Sequence, residues 1–314
     1  MSHLDRWRDS GNLPSQQEVV VALGLGLVSA LPYVMPIGIL TLLLKFLPNI
    51  LLFLSFLCYG KRCGALSSLT VMLAVVLVGS NGTLINILCF SLLPSATMGF
   101  FLMRKIVVKG KTWWYPEGFV FRHLLQLAVF LVLLLSMTIY PEEFVRKQAE
   151  EIVKVLFHGN LPAEKQFFEF YSKCFVGLAV LSNLLGVAFD LLIADNVGRR
   201  LKMNLRPKID LLHLSITPQV AVFPLVAMAT ALLLPSISQI CCGLAIVGLM
   251  GPLLAGFSII HFLADRQNNR NILYTFYGLL LLLFPAMILL AIFVGIADSF
   301  YAIRPASDAV GTRS

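Results

Sequence analysis

The stretch RHLLQLAVFLVLLLSMTIY, residues 122–140, is apolar over almost its whole length. Its basic side chains, Arg122 and His123, stand at its first two positions. An α-helix rises about 1.5 Å per residue, so a run of this length matches the roughly 30 Å hydrocarbon core of a bilayer. The stretch therefore predicts a helix that crosses a membrane.

The composition of the whole chain supports the same interpretation. Apolar residues make up 58% of the 314 residues, charged residues make up 13%, and the mean hydropathy is +0.87. Average soluble domains are about 45–50% apolar and about a quarter charged, so this chain lacks the polar residues that would cover a soluble surface. We expect an all-α fold, a polytopic transmembrane helix bundle.

Nine apolar runs are long enough to span a bilayer. The first two are separated by little more than Pro36 and Ile37, and Pro285 would either kink or break the last, so we expect about 8–9 spanning helices. The runs are 18–36, 38–59, 64–80, 84–103, 122–140, 172–195, 215–234, 237–262 and 272–298.

The distribution of basic residues predicts the orientation. If the N-terminus is cytoplasmic and all nine runs cross, sixteen of the 24 Lys and Arg residues fall in cytoplasmic segments, which agrees with the positive-inside rule. This bias explains the net charge of +8 without nucleic-acid binding. We expect a membrane protein with a short cytoplasmic segment at 1–17, one bundle over 18–303 and a tail at 304–314. Because 1–17 is mostly polar, we expect the first run to stay as an anchor.

The segment 141–171 is the longest predicted loop and would face outward. Val145, Ala149, Ile152 and Leu156 recur at helical spacing, which predicts an amphipathic helix that ends near Gly159 and Pro162. Such a helix either packs against the bundle or forms a lid over a pocket; packing is the favoured alternative.

The stretch VVKGKTWWYPEG, residues 107–118, contains the end of a phosphate-binding loop without its first glycine. That loop needs G-x-x-x-x-G-K-[ST] between a strand and a helix, so we expect no nucleotide here. Trp and Tyr are enriched at membrane interfaces, which predicts an interfacial anchor at 113–115.

No catalytic or metal-binding constellation appears in the sequence, so we expect no enzyme activity, no cofactor and no metal. The six cysteines lack metal-ligand spacing and suit apolar packing. Ionisable residues within spans are candidate sites. For Lys45, Asp190, Asp195, His261 and Asp298, a structural or solvated role is favoured over a ligand or proton site.

The eighth run is rich in small residues, Gly243, Gly248, Gly251, Ala255 and Gly256, with Pro252 among them. Small residues let helices approach closely, which favours packing. The alternative is an interrupted helix that lines a substrate cavity.

Several segments together are similar to the YybS-like family of bacterial membrane proteins, a domain of unknown function. They are TWWYPEG (112–118), NLRPKIDLLHLSITPQ (204–219), GPLLAGFSIIHFLADR (251–266) and VGIADSFYAIR (294–304). Pro252 departs from the family pattern, in which that helix is continuous. The residues that match the family motifs, and are candidates for substrate binding or structure, are Trp114, Tyr115, Pro116, Arg206, Pro207, His261, Asp298 and Arg304.

The resemblance implies a function in transport. The family is distantly similar to the substrate-binding S components of energy-coupling-factor transporters, although those have about six spans. It implies a bundle in the lipid bilayer that binds a small-molecule ligand and works with partner subunits. The alternative is a non-transporting scaffold or assembly factor.

Two of the matching residues have local partners that the sequence suggests. We expect His261 to bond with Asp265 or a backbone carbonyl, and Asp298 to pair with Arg304 after a turn.

Overall fold

The computed structural model describes residues 15–34, 46–78, 81–108, 111–138, 145, 147, 150, 162–209 and 214–301. The helices are α1 (Gln16–Val34), α2 (Leu47–Val78), α3 (Asn81–Ile87), α4 (Leu93–Leu102), α5 (Glu117–Thr138), α6 (Pro162–Arg200), α7 (Pro218–Leu233), α8 (Ser238–Gly248), α9 (Met250–Arg266), α10 (Asn271–Leu282) and α11 (Phe284–Tyr301). A π-helical segment, Leu88–Leu92, joins α3 to α4, and a 3₁₀ turn, Pro235–Ile237, precedes α8.

Within the described residues, six helical stretches are long and apolar enough to cross a membrane. Two further apolar helices, α7 and α10, are shorter. The expected all-α class is confirmed, whereas the count of eight or nine spans is not. The six stretches are Leu47–Val78, Leu84–Leu102, Glu117–Met137, Phe167–Arg200, Pro235–Arg266 and Phe284–Tyr301.

A short β-hairpin interrupts the helices between α4 and α5. Strand β1 (Lys105–Val108) pairs antiparallel with β2 (Lys111–Trp114), and Lys105 lies opposite Trp114. Val, Ile, Thr and Trp are enriched in strands, and these residue types fill positions 106–108 and 112–114. The expected loop at this place is therefore an ordered hairpin.

Two breaks in the helices fall where the sequence marks them. The element α2 is two helical parts that meet at a kink at Gly60, where φ is 88° and ψ is 173°, and this kink lies between the predicted runs 38–59 and 64–80. Only glycine adopts this backbone region readily, so the kink depends on the missing side chain. The run 272–298 is broken at Leu283, whose φ of −123° and ψ of 45° separate α10 from α11, so of the kink and the break that Pro285 left open the structure has the break.

The end of the predicted outer loop is helical. Pro162, expected to stop a helix, begins α6 instead, and α6 continues to Arg200. Proline fits the first turn of a helix because the amide that it lacks would have no intrahelical partner there. Val145 is buried at 1% exposure, whereas Ala149, Ile152 and Leu156 lie outside the described residues.

Contacts group the chain into two compact units. Unit 1 comprises Met1–Trp114 and Phe189–Pro207, and unit 2 comprises Tyr115–Ala188 and Lys208–Ser314. One core of unit 1 contains Leu52, Val71, Val75, Ile87 and Leu92. One core of unit 2 contains Leu253, Phe276, Met287, Ala291 and Ile292. The single bundle expected over 18–303 stays a prediction.

Small residues bring the helices of unit 2 into backbone contact. A Cβ built on Gly177 in α6 would lie 2.6 Å from the Cα of Gly243 in α8. A Cβ on Gly256 in α9 would lie 2.6 Å from the carbonyl carbon of Ala291 in α11. These contacts support the packing interpretation of the small residues. Pro252 lies within α9, near its start, and does not interrupt it.

Candidate functional site

The hairpin of unit 1 brings two of the predicted site residues together. The Lys105 Nζ lies 4.9 Å from the centroid of the Trp114 ring, and the Arg206 guanidinium carbon lies 5.9 Å from it. Arg206 is 5% exposed and donates from Nη1 to the backbone carbonyl of Leu102 at 2.9 Å. The next residue, Pro207, is exposed. Trp114 therefore lies within cation–π distance of two basic side chains, which ties the hairpin to the segment after α6.

Tyr115 and Pro116 stand at the start of α5 in unit 2. The Tyr115 hydroxyl bonds with Nε2 of His123 at 3.0 Å, and the two rings stack with centroids 6.0 Å apart. The Pro116 carbonyl accepts the amide of Phe119 at 3.1 Å. Both residues therefore shape the first turns of α5.

His261 has a different partner from the one expected. Its Nε2 lies 2.8 Å from the hydroxyl of Tyr277 in α10. The two rings also meet edge to face with centroids 5.9 Å apart. The helices α9 and α10 are consecutive along the chain, so the sequence suggests that they are neighbours, but it does not show which side chains face each other.

Asp298 is buried in α11 at 6% exposure. Arg304 lies outside the described residues, so the expected Asp298–Arg304 pair stays a prediction. Lys45 also lies outside the described residues, so its predicted structural or solvated role stays a prediction.

Asp195, for which a structural or solvated role is predicted, is buried at 5% exposure and belongs to a structural cluster at the end of α6. Its two carboxylate oxygens accept from Nε and Nη2 of Arg199 at 2.9 and 3.0 Å. The amide of Asn204 donates to the same carboxylate at 2.8 Å. This carboxylate is compensated by charge and by hydrogen bonds, which gives it a structural role.

A second group in unit 1 joins one candidate from the sequence, Asp190, to three residues that the sequence did not indicate. We call Asn49, Ser91, Ser95 and Asp190 the buried polar cluster; each is at most 8% exposed. The Asn49 amide donates to Asp190 Oδ2 at 2.8 Å, and its carbonyl accepts from Ser95 at 3.1 Å and from Ser91. The Tyr33 hydroxyl lies 2.7 Å from that of Ser91. Side chains from α4, α6 and the π-helical segment thus bond to one amide of α2.

Asp190, for which a structural or solvated role is predicted, is not solvated. It has 0% exposure, and its Oδ1 atom has no hydrogen-bond partner among the described residues. A buried carboxylate without full compensation is costly and marks a functional-site candidate inside a membrane span. An acidic residue within an apolar run was the signal that the sequence offered for Asp190. Ser91, Ser95 and Asn49 carried no comparable signal.

Unit 2 contains a cavity of about 360 Å³. Glu169 and Lys173, one turn apart on α6, contribute opposite charges to it. The amide nitrogen of Gln239 in α8 is buried, has no hydrogen-bond partner in the described part of the chain, and belongs to the same lining. The remaining lining residues are Val145, Phe168, Ser172, Pro235, Ser236 and Ser238.

Within the described residues, no group of three His, Cys, Asp or Glu side chains could hold a metal ion. No family model matches the sequence, and neither a curated protein nor a solved structure is significantly similar to it. The similarity to the YybS-like family therefore stays a prediction.

Proposed function

We propose that this chain is a multi-pass membrane protein that binds a small zwitterionic metabolite, of the free amino acid class, and takes part in its transport. The observation that carries this proposal is the cavity of about 360 Å³, whose lining includes a carboxylate, an ammonium and an unpaired amide. Small-molecule sites combine such a volume with a few convergent polar groups.

The lining supports a ligand that carries both charges. Glu169 and Lys173 are four residues apart on one helix, so their Cβ atoms are separated by about 5–6 Å. They form no ion pair with each other in the described part of the chain. A zwitterion placed between them satisfies the carboxylate with its ammonium and the ammonium with its carboxylate. The Phe168 ring and Val145 offer apolar contact to a side chain.

Thermal unfolding of the purified full chain in detergent tests this proposal. Individual L-amino acids at millimolar concentration should raise the unfolding temperature in a saturable way for at least one of them. Glu169→Gln and Lys173→Gln should each weaken that binding about tenfold, because a charge-assisted hydrogen bond at an exposed site contributes about 1.5 kcal/mol.

Lys208→Gln is the matched control, because Lys208 is an exposed lysine of the same unit outside the cavity. It should bind as the parent does. If no amino acid stabilises the parent, or if all three variants bind equally, the proposed ligand class is wrong. A scaffold protein without a solute site would show neither stabilisation by an amino acid nor weaker binding in the Glu169 and Lys173 variants.

We propose the bacterial inner membrane, eight or nine spans and a cytoplasmic N-terminus as the setting. The support is the excess of basic residues in alternate loops. Residues 202 and 236, both exposed, fall on opposite sides in this topology. In a cysteine-free background on intact cells, an impermeant maleimide should label a cysteine at 236 and not one at 202; the reverse pattern refutes the orientation.

We also propose that the chain acts by binding and not by catalysis, and that it is a member of the YybS-like family. Partner subunits or an ion gradient would supply the energy for transport. The motifs around Trp114, Arg206, His261 and Asp298 support the family proposal.

A further inference from the structure

We propose that the buried polar cluster of unit 1 is a binding site for one small monovalent cation, sodium. This inference goes beyond the proposed solute binding, since the cluster and the cavity share no residue and the sodium test uses no solute.

The first argument concerns charge. Asp190 has no exposed surface, and in the described part of the chain no basic side chain forms an ion pair with it. Its Oδ2 atom has the Asn49 amide as donor, whereas Oδ1 has no partner. One ionised carboxylate and one monovalent cation form a neutral pair, which removes the cost of an isolated charge.

The second argument concerns the ligand atoms. Besides the Asp190 carboxylate, the cluster offers the Asn49 carbonyl and the hydroxyls of Ser91 and Ser95. Carboxylate, carbonyl and hydroxyl oxygens bind hard cations, and hydroxyl groups rotate to present lone pairs. A divalent cation would leave net charge beside a single carboxylate. The Ser95 hydroxyl oxygen lies 3.1 Å from the Asn49 carbonyl oxygen, and ligand oxygens this close together suit sodium better than the larger potassium.

The third argument concerns the backbone. Ser91 lies in the π-helical segment Leu88–Leu92, which joins α3 to α4. π-helical turns inside helices occur frequently at functional sites, and transporters place sodium where a spanning helix loses regular winding. The cluster thus combines an uncompensated carboxylate with an irregular helix inside candidate spans.

The test measures the unfolding temperature of the purified full chain in detergent as sodium chloride is raised. Potassium chloride or choline chloride replaces sodium at constant ionic strength. Sodium should raise the unfolding temperature of the parent by several degrees with saturation, and the other two cations should not. Asp190→Asn should abolish the response, and Ser95→Ala should shift its midpoint to several-fold higher sodium.

Asp195→Asn is the control, since Asp195 is a buried carboxylate of the same helix that Arg199 already compensates. This variant should unfold at a lower temperature yet keep the sodium midpoint of the parent. Equal responses to sodium, potassium and choline would overturn the proposal, as would a sodium response that persists in Asp190→Asn. If the unfolding temperature changes with pH and not with sodium, the cluster binds a proton, and this result would also overturn the proposal.

If Asp190→Asn does not fold, Ser95→Ala decides, and an unchanged sodium midpoint in that variant refutes the site. An amino acid effect without a sodium effect would leave the proposed function intact and remove this inference alone.

Discussion

Gly256→Ala tests whether the small residues of α9 serve helix packing. A Cβ at this position would lie 2.6 Å from the carbonyl carbon of Ala291 and 3.0 Å from its Cα, with the carbonyl oxygen closer still. Carbon atoms in ordinary contact are about 3.5–4.0 Å apart, so α9 and α11 must separate by roughly 1 Å. The obstacle is backbone, which cannot rotate away as a side chain can.

The expected cost follows from two opposing terms. Inserting a methyl group into a packed interface costs about 1–3 kcal/mol, and the rigid backbone here favours the upper end. Alanine is about 1 kcal/mol better than glycine within a helix. We therefore expect Gly256→Ala to lower the free energy of unfolding by about 2 kcal/mol.

Gly278→Ala is the matched control within the same unit. Gly278 lies in α10, is exposed, and a Cβ there would meet nothing within 4 Å. The helix-propensity gain then stands alone, so this variant should be more stable than the parent by about 1 kcal/mol. The two substitutions are chemically identical, and their difference of about 3 kcal/mol isolates the packing contact.

The assay is denaturant or thermal unfolding in detergent, followed with a thiol-reactive fluorophore. All six cysteines are free and buried, so they react as the fold opens. If Gly256→Ala and Gly278→Ala unfold at the same denaturant concentration, the close approach of α9 and α11 is refuted. The cavity-lining interpretation of that helix would then regain support.

The remaining predictions concern single side chains. Gly60→Ala should destabilise the protein by about 1–3 kcal/mol because φ is +88° there. Gly118→Ala is the control and should not destabilise it, since a Cβ there would meet no atom within 4 Å. Equal unfolding midpoints for the two variants would contradict the kink. Tyr277→Phe removes the hydroxyl that bonds to His261 and should lower the free energy of unfolding by about 0.5–1.5 kcal/mol. A double variant, His261→Ala with Tyr277→Phe, that is no less stable than His261→Ala alone would confirm the pair. Arg206→Gln should cost about 1–3 kcal/mol through the lost bond to the carbonyl that ends α4, measured by the same unfolding assay; parent-like stability would exclude that role.

The sequence predicts which types of residue the site contains, but not how those residues are arranged. Asp190 and Asp195 are the same residue type on one helix, and the sequence distinguishes them only through Arg199, which lies at i+4 from Asp195 and can compensate its carboxylate. The distinction depends on Arg199, one turn away, and on Asn49, which is 141 positions from Asp190 along the chain. Trp114 and Arg206 were both predicted site residues, but their proximity became visible only with the hairpin.

By itself, the sequence determined the helical, membrane-type class of this protein. Long apolar runs must satisfy their backbone hydrogen bonds internally in a bilayer, and a helix does so with local bonds that periodicity and length reveal. Tertiary structure alone decided the contact of Arg206 with the Trp114 ring and the convergence on Asn49. These features arise from contacts between distant segments, and a residue's local neighbours in the sequence do not specify which distant atoms it will meet.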